Sequence, residues 1–182
     1  ALAVVRLLQT QIPVSTGQIE NGLRKVHWPG RLQLLERSEG GKVLLDGAHN
    51  IAGTTVLRQT IEKDFPTPRR ALILGVLADK DWRQICRILA PMAGHIFPVP
   101  VSSQRTANPE DLAQACRAAN PAATVSVCHC LDEALQQAAN EQFIIITGSL
   151  YLIGEALELL GQLSAAKSER ELNEWGAETL KR

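Results

Sequence analysis

The fold of this chain is decided by the stretch Val43-Leu44-Leu45-Asp46-Gly47-Ala48-His49-Asn50. Its first three residues form an unbroken apolar run, which is typical of a strand that is covered on both faces. Asn50 is a good cap for a helix that we predict over Ile51–Asp64. Strand, polar loop and helix in this order indicate one βα unit of a parallel sheet.

The same alternation continues outward from this unit. We predict strands at Leu32–Leu35, Val43–Leu45, Ala71–Val76, His95–Val99, Thr124–Cys128 and Phe143–Thr147. We predict helices at Ala1–Gln9, Thr16–Val26, Ile51–Asp64, Trp82–Ala90, Pro109–Ala119, Leu131–Ala139, Leu150–Leu163 and Ser168–Lys181. The pattern predicts a doubly wound α/β fold, with a mostly parallel six-stranded sheet and helices on both faces.

Composition excludes several classes of protein. The chain has 19 basic and 19 acidic residues, so it lacks the positive charge that proteins use to grip nucleic acid or an anionic membrane. No apolar run approaches the roughly 18 residues of a membrane span. The N-terminal residues lack the basic start and cleavage site of a signal peptide. Four cysteines without a disulfide-framework pattern favour a cytoplasmic protein.

Doubly wound folds bind ligands beyond the carboxyl ends of their strands, so the loops there are the candidate sites. Asp46 follows one predicted strand, and a carboxylate at this place can accept hydrogen bonds from ribose hydroxyls. His49, three residues later, points into the same crevice beyond the strand ends, beside the positive N-terminal end of the next helix. Gly148 and Ser149 follow the most apolar strand. The Ser149 hydroxyl can bond an anion that binds at the N-terminal end of the next helix. The alternative interpretation makes Asp46, Asn50 and Ser149 turn and cap residues and His49 a surface histidine.

Two further loops contribute cations. Lys80 lies near the crevice, where phosphate or carboxylate could meet it, although a solvated lysine is the simpler interpretation. Next to it, Asp81 and Gln84 form a predicted capping box. The long polar loop 98–108 carries Arg105, which either clamps a carboxylate or is exposed.

Cys128-His129-Cys130 does not satisfy the requirements of a metal site. Consecutive strand residues point to alternate faces, and no second ligand pair occurs in the sequence. We therefore interpret them as ordinary strand residues and predict no metal ligands. The sequence also has no glycine-rich phosphate loop, so a phosphate cradle must come from elsewhere or be absent.

Four motifs in order resemble the folylpolyglutamate synthase/dihydrofolate synthase family, and more broadly the C-terminal domain of Mur-type amide ligases. The motifs are WPGRL at 28–32, LLDGAHN at 44–50, GVLADKD at 75–81 and TGSLYLIG at 147–154. The resemblance covers essentially residues 16–160. This chain departs from the family pattern at Ile51, where proline is common, and at Glu39-Gly40-Gly41, which enlarges the connection between Arg31 and Asp46.

The resemblance implies an ATP-dependent ligase that adds L-glutamate to dihydropteroate or folate through an acyl phosphate. Family members bind ATP and Mg²⁺, are commonly monomeric, and carry the phosphate loop and magnesium ligands in a preceding N-terminal ATPase domain. The implied ATP-binding residues are Arg31, Asp46 and His49. The implied glutamate-binding residues are His49, Ser149 and Lys80. No catalytic nucleophile is expected in this part of the enzyme.

The resemblance also predicts three segments. Residues 1–29 would be the last helices of the ATPase domain with a linker, 30–165 the Mur ligase-type C-terminal α/β domain, and 166–182 a helical tail. The first helix lacks a cap and an initiating methionine, which favours a piece of a longer polypeptide that is inactive alone. The alternative function is a stand-alone nucleotide- or anion-binding regulatory module.

Overall fold

The structure is a computed structural model that describes residues 2–26, 28–37, 40–66 and 70–162. The strands are β1 (Gln33–Glu36), β2 (Lys42–Asp46), β3 (Ala71–Leu74), β4 (His95–Pro98), β5 (Thr124–Val125) and β6 (Phe143–Thr147). The α-helices are α1 (Leu2–Leu8), α2 (Thr16–Lys25), α3 (Ile51–Asp64), α4 (Trp82–Leu89), α5 (Pro109–Ala119), α6 (Leu131–Gln137) and α7 (Leu150–Leu159). A short 3₁₀ turn, Ala90–Met92, follows α4.

One six-stranded sheet organises the described residues, in the order β1-β2-β6-β3-β4-β5. All neighbouring pairs are parallel except β1 with β2, which form an antiparallel hairpin at one edge. Strand β6 is the last in the chain, yet it lies between β2 and β3. The predicted doubly wound, mostly parallel α/β fold is therefore confirmed.

Apolar residues explain why helices cover both faces of this sheet. Every residue of β3 and β6 is buried, so each strand presents side chains to two cores. On one face, α3, α4 and α5 contribute buried residues such as Leu57, Ile85 and Leu112. On the other face, α6 and α7 contribute Leu131 and Leu152. The helices thus bury the central strands of the sheet between two apolar layers.

Helix caps place several boundaries where the sequence predicts them. The side chain of Asn50 accepts a hydrogen bond from the Gly53 amide, and α3 begins at the next residue. Asn108 caps α5 in the same way through the Glu110 amide. Ser15 forms a complete capping box with Gln18. Side-chain acceptors at these positions satisfy amides that have no partner within the helix.

The structure corrects two local predictions. Strand β5 ends at Val125, so the residues from Ser126 to Cys130 are not strand residues as predicted. Cys130 instead caps α6, its sulfur accepting from the Glu133 amide. At the start of α4, the Asp81 side chain accepts a hydrogen bond from the Gln84 amide, as predicted. The Gln84 side chain does not bond the Asp81 amide in return, so only half of the predicted capping box forms.

The first two helices differ from the rest of the molecule because α1 and α2 contain no buried residue. Their exposed apolar side chains include Leu7, which is 81% exposed. No helix of the described residues is long and apolar enough to cross a membrane. Glu39 and the predicted helix Ser168–Lys181 lie outside the described residues.

Candidate functional site

Three neighbouring strands end together at the carboxyl edge of the sheet. Asp46 of β2 and Leu74 of β3 both pair with Thr147 of β6. The loops that follow are joined by backbone bonds, since the Gly148 amide donates to the Ala48 carbonyl and the Gly75 amide donates to the Thr147 carbonyl. Loops that lie far apart in sequence therefore form one rigid rim, which carries Asp46, His49, Lys80 and Ser149.

Gly148 makes this close approach possible. Its φ angle of 108° lies in the region that L-residues with a side chain rarely adopt. A Cβ atom built at this position would lie 2.5 Å from the Gly75 carbonyl oxygen. Only glycine therefore lets the loop after β6 pack against the loop after β3.

The Asp46 carboxylate organises the hairpin side of the rim. It is 8% exposed, and its two oxygens accept hydrogen bonds from the Leu32 and Ala48 amides, each 2.9 Å long. These bonds tie the entry of β1 to the loop after β2. Each oxygen keeps a second lone pair, so Asp46 can still accept a hydroxyl from a ligand.

Arg31 lies beside Asp46 because β1 runs antiparallel to β2 and therefore starts at the carboxyl edge. The next residue, Leu32, has a φ of 44°, a left-handed conformation that costs a branched residue about 1–3 kcal/mol. The bond from the Leu32 amide to Asp46 holds this conformation. The hairpin register is unbroken from Gln33↔Leu45 to Glu36↔Lys42, so the enlarged turn lies at the opposite end from Arg31.

A first cavity, which we name the Arg31 cavity, has a volume of about 370 Å³. Arg31 and Asp46 stand on its polar side. Small and apolar residues of the rim and of α3, including Ala48, Ala52 and Val56, form the rest of the wall. The cavity combines an apolar surface with one cation and one carboxylate.

His49 adopts a defined orientation on the rim. Its Nδ1 lies 2.8 Å from the Gly47 carbonyl oxygen. A carbonyl oxygen can only accept, so Nδ1 carries the hydrogen in this bond and the neutral ring has its lone pair on Nε2. The main chain therefore sets both the rotamer and the tautomer of His49.

A second cavity, the Ser149 cavity, has a volume of about 150 Å³ and adjoins the helix α7. Ser149 is 2% exposed, and its Oγ accepts from the Tyr151 amide, which leaves the hydroxyl hydrogen free to donate. The complete lining is His49, Leu77, Lys80, Ser149, Leu150 and Tyr151. Hydrogen-bond donors, an imidazole and a cation therefore surround one small volume.

Lys80 enters this cavity as part of an ionic chain. Its Nζ lies 3.2 Å from Asp79, and Arg105 lies 3.9 Å from the same carboxylate. The hydrogen bond from Lys80, together with the positive charges of Lys80 and Arg105, holds the pKa of Asp79 below its ordinary value. The loop of Arg105 is anchored here because the Ala78 amide donates to the Arg105 carbonyl at 2.7 Å.

The five residues singled out by the sequence thus fall into two neighbouring groups. Arg31 and Asp46 share one cavity, and His49, Lys80 and Ser149 share the other. His49, which the resemblance implied for both ligands, lines the second cavity and not the first. The sequence interpretation missed Tyr151 as a wall residue, although its place in the first turn after Ser149 was a usable signal.

The cysteines lie away from this rim. Cys86 and Cys116 are buried between α4 and α5, and burial raises the pKa of Cys128 to about 11. Within the described ranges, no group of three or more histidine, cysteine or acidic residues is arranged to hold a metal ion.

Fold and rim together define an α/β domain that presents two cavities, each with charged or polar residues in an otherwise apolar lining, at the carboxyl ends of its strands. The sequence model of the family described as "Mur ligase, glutamate ligase domain" matches residues 30–150. The chain belongs to this family.

Curated relatives and solved structures agree with the assignment. The chain is 32% identical over 161 residues to the folylpolyglutamate synthase of Lacticaseibacillus casei. The aligned region covers 87% of this chain and 36% of that protein. It is 29% identical to the dihydrofolate synthase/folylpolyglutamate synthase of Bacillus subtilis, over 78% of this chain and 33% of that protein. The chain therefore spans about a third of the length of these relatives.

The fold is shared with folylpolyglutamate synthase structures. A Mycobacterium tuberculosis folylpolyglutamate synthase complexed with ADP and AMPPCP superposes with a TM-score of 0.74 at 28% identity, over 84% of this chain and 36% of that one. The folylpolyglutamate synthase of Thermotoga maritima superposes with a TM-score of 0.72 at 29% identity, over 87% of this chain and 37% of that one.

Proposed function

We propose that the chain is the C-terminal amino-acid- and nucleotide-binding domain of an ATP-dependent ligase that adds L-glutamate to dihydropteroate or folate. One observation carries the proposal: His49, Lys80 and Ser149 share one cavity, and Gly47 lies between its wall residue Leu150 and Arg31 of the other cavity. In the proposed reaction ATP and glutamate act in turn on the same folate or pteroate carboxylate, so their sites must be neighbours. Membership of the glutamate ligase domain family supports the choice of substrate.

The Arg31 cavity is suited to a nucleotide. Its apolar wall of small side chains can accept a planar base or a sugar face, and Arg31 can offset phosphate charge. Asp46 has free lone pairs for ribose hydroxyls. ATP, when bound, supplies the phosphoryl group that activates the folate or pteroate carboxylate as an acyl phosphate. The ADP and AMPPCP bound by the Mycobacterium tuberculosis relative support this assignment.

The Ser149 cavity is suited to an amino acid with two carboxylates. Lys80 provides a positive charge for one carboxylate, and the Ser149 hydroxyl donates a hydrogen bond. Asp79 already pairs with Lys80, so an incoming carboxylate exchanges one anionic partner of the lysine for another. The volume of about 150 Å³ matches a small metabolite better than a cofactor.

A second domain is needed for turnover, because the sequence has no phosphate loop. We propose that residues 1–29 are the terminal helices of a preceding ATPase domain, that 30–165 form the ligase C-terminal domain, and that 166–182 are a tail. The unburied apolar residues of α1 and α2 support this division. Magnesium ligands are proposed to lie in the ATPase domain.

The test compares the chain alone with the longer polypeptide that carries it. We expect the longer polypeptide to release phosphate from ATP only when both L-glutamate and a folate or dihydropteroate acceptor are present, and the chain alone to release none. Ser149→Ala in the longer polypeptide should raise the KM for glutamate, whereas Ser126→Ala, beyond β5, should not change it.

Two results would overturn the proposal. A longer polypeptide that consumes no ATP with any folate or pteroate acceptor would exclude the ligase. Tight ATP binding by the isolated chain, combined with that failure, would favour a stand-alone nucleotide-binding module.

A further inference from the structure

Leu150 is a large apolar residue that stands half exposed among the charged groups of the rim. It is the first residue of α7, directly after Ser149, and it is 52% exposed. The helix does not need it as an anchor, because the buried residues Leu152, Ile153 and Ala156 already hold α7 to the core. Single exposed leucines are common on protein surfaces, so the position of Leu150 relative to the two cavities decides whether it has a role.

Gly47 shows where the Leu150 side chain lies. A Cβ atom built on Gly47 would overlap Leu150 Cδ2 and would lie 3.5 Å from Nη1 of Arg31. The φ angle of Gly47 is outside the left-handed region, so this glycine provides space and not an unusual backbone conformation. The isobutyl group of Leu150 fills that space. Leu150 lines the Ser149 cavity and Arg31 lines the Arg31 cavity, so the leucine stands at the boundary between the two.

The proposed reaction takes place at this boundary, because ATP and glutamate act in turn on one carboxylate. The neutral amine of glutamate bonds the acyl carbon of the acyl phosphate, the bond from that carbon to the phosphate oxygen breaks, and one amine hydrogen leaves with the phosphate as HPO₄²⁻. Water can attack the same carbon instead, which gives the free carboxylate, HPO₄²⁻ and a proton. Each such event consumes ATP without forming an amide. An apolar wall beside the acyl carbon opposes it, since the wall offers water no hydrogen-bond partner.

Resting on the proposed function, we propose that Leu150 is a specificity-determining residue, which excludes water from the acyl phosphate so that the acyl group passes to glutamate. Its isobutyl group occupies the volume over Gly47 in which water would otherwise stand between the two cavities. Ligands that fill both cavities lie on either side of it and cover its exposed half. Leu150 therefore determines how much ATP is consumed for each glutamate added.

The test uses the longer polypeptide with Leu150→Ser, Leu150→Met and Leu159→Ser. Serine brings a hydroxyl to which water can bond, whereas methionine keeps an apolar side chain of similar volume. Leu159→Ser is the matched control, because Leu159 ends the same helix at its opposite end and is 49% exposed. Phosphate release and the incorporation of labelled glutamate are measured in one reaction with ATP, a folate or dihydropteroate acceptor and saturating glutamate.

We expect the unchanged polypeptide, Leu150→Met and Leu159→Ser to release phosphate and incorporate glutamate in equal amounts. Leu150→Ser should raise the ratio of phosphate to glutamate about tenfold, which corresponds to about 1.4 kcal/mol in the difference between the barriers for water and for the amine. The same variant should release phosphate from ATP and the acceptor when glutamate is left out.

Gly47→Ala tests the placement of the side chain while the leucine itself is kept. The new methyl group would displace the flexible end of Leu150 from the boundary, so we expect a raised ratio of phosphate to glutamate here as well. The control is Gly154→Ala, where a Cβ atom meets nothing within 4 Å and the ratio should not change.

The inference is overturned if Leu150→Ser and Gly47→Ala leave the ratio unchanged, or if Leu159→Ser raises it equally. Parallel losses of phosphate release and glutamate incorporation at a constant ratio would also overturn it and would make Leu150 a structural or binding residue. In these cases the unchanged polypeptide still forms product, and the proposed function stands. An unchanged polypeptide that forms no glutamate product would refute the proposed function, and this inference with it.

Discussion

The two edges of the sheet each carry a histidine, and they use it differently. At the amino edge, Nδ1 of His95 bonds the Glu141 carboxylate, so two side chains of opposite character satisfy each other. At the carboxyl edge, Nδ1 of His49 bonds a backbone carbonyl, and the ring faces a cavity. The two rings differ in the partner of Nδ1, which is a carboxylate side chain at the amino edge and a main-chain carbonyl at the carboxyl edge. The main-chain partner fixes the orientation of His49 without using another side chain.

The same contrast extends to the other polar groups. At the amino edge, Arg70 donates to the carbonyls of Phe65 and Met92, which connects neighbouring loops. At the carboxyl edge, Ser149 and Asp46 accept backbone amides and keep a donor or lone pairs for a ligand. We therefore expect substitutions at the amino edge to affect stability slightly, and those at the carboxyl edge to affect stability and ligand binding together.

The largest effect should follow Gly148→Ala. The new methyl group would meet the Gly75 carbonyl in a backbone conformation that alanine rarely adopts, so we expect a loss of about 3 kcal/mol in the free energy of unfolding. Urea denaturation of the chain measures this. The control is Gly154→Ala in α7, where a Cβ meets no atom within 4 Å and alanine should be neutral or stabilising. Equal stability of the two variants would show that the loops do not pack as described.

The next effect should follow Asp46→Ala. Removal of the carboxylate leaves the Leu32 and Ala48 amides without their acceptor, which should cost about 1–3 kcal/mol in the free energy of unfolding. The same urea experiment applies, with the exposed Asp64→Ala as control. A loss no larger than that of the control would mean that Asp46 serves a ligand alone and does not organise the rim.

A smaller effect concerns the ion pair at Lys80. Lys80 and Arg105 hold the pKa of Asp79 below its ordinary value. The ionic contact between Lys80 and Asp79 therefore stabilises the folded state at pH values above those at which a carboxyl group ordinarily titrates. That contribution disappears as the pH falls through the lowered value. We expect Lys80→Met to move the Asp79 titration to higher pH in a carboxyl NMR titration, and Lys63→Met to leave it unchanged. An unmoved titration in the Lys80 variant would contradict the pairing.

The smallest effect should follow Glu141→Gln at the amino edge. The side chain of His95 is 45% exposed, and a pair at the surface contributes about 0–1 kcal/mol. We expect a change within that range by urea denaturation and unaltered glutamate-dependent phosphate release by the longer polypeptide. A clear loss of phosphate release would remove the distinction between the two edges.

Much of the fold could be predicted from local pattern. The bounds of α3, α5 and β6 agree with the sequence prediction because caps and apolar runs mark them directly. The prediction was wrong from Ser126 to Cys130, where apolar and polar residues continue to alternate after β5 ends. Alternation alone cannot indicate where a strand at the sheet edge gives way to a helix cap, since Cys130 is a rare capping residue.

The candidate site was predictable as a set of residues but not as two cavities. Asp46, His49, Lys80 and Ser149 all follow predicted strands, and the rule for doubly wound sheets assigns them to one edge. Their division between cavities depends on which strands are neighbours. Insertion of β6 between β2 and β3 brings Ser149 beside His49 and Lys80, a placement that adjacent positions in the chain do not reveal.

By itself, the sequence determined the elements, their caps and the chemical character of the loops, because these depend on residues within a few positions of each other. The tertiary structure alone decided the tautomer of His49, the strained backbone of Leu32 held by Asp46, and the requirement for glycine at position 148. Glycine is required at position 148 because the parallel strands β3 and β6 align their carboxyl ends. The bond from Leu32 to the Asp46 carboxylate forms across the antiparallel pair of β1 and β2, and the tautomer of His49 depends on a turn whose geometry the residue types leave open.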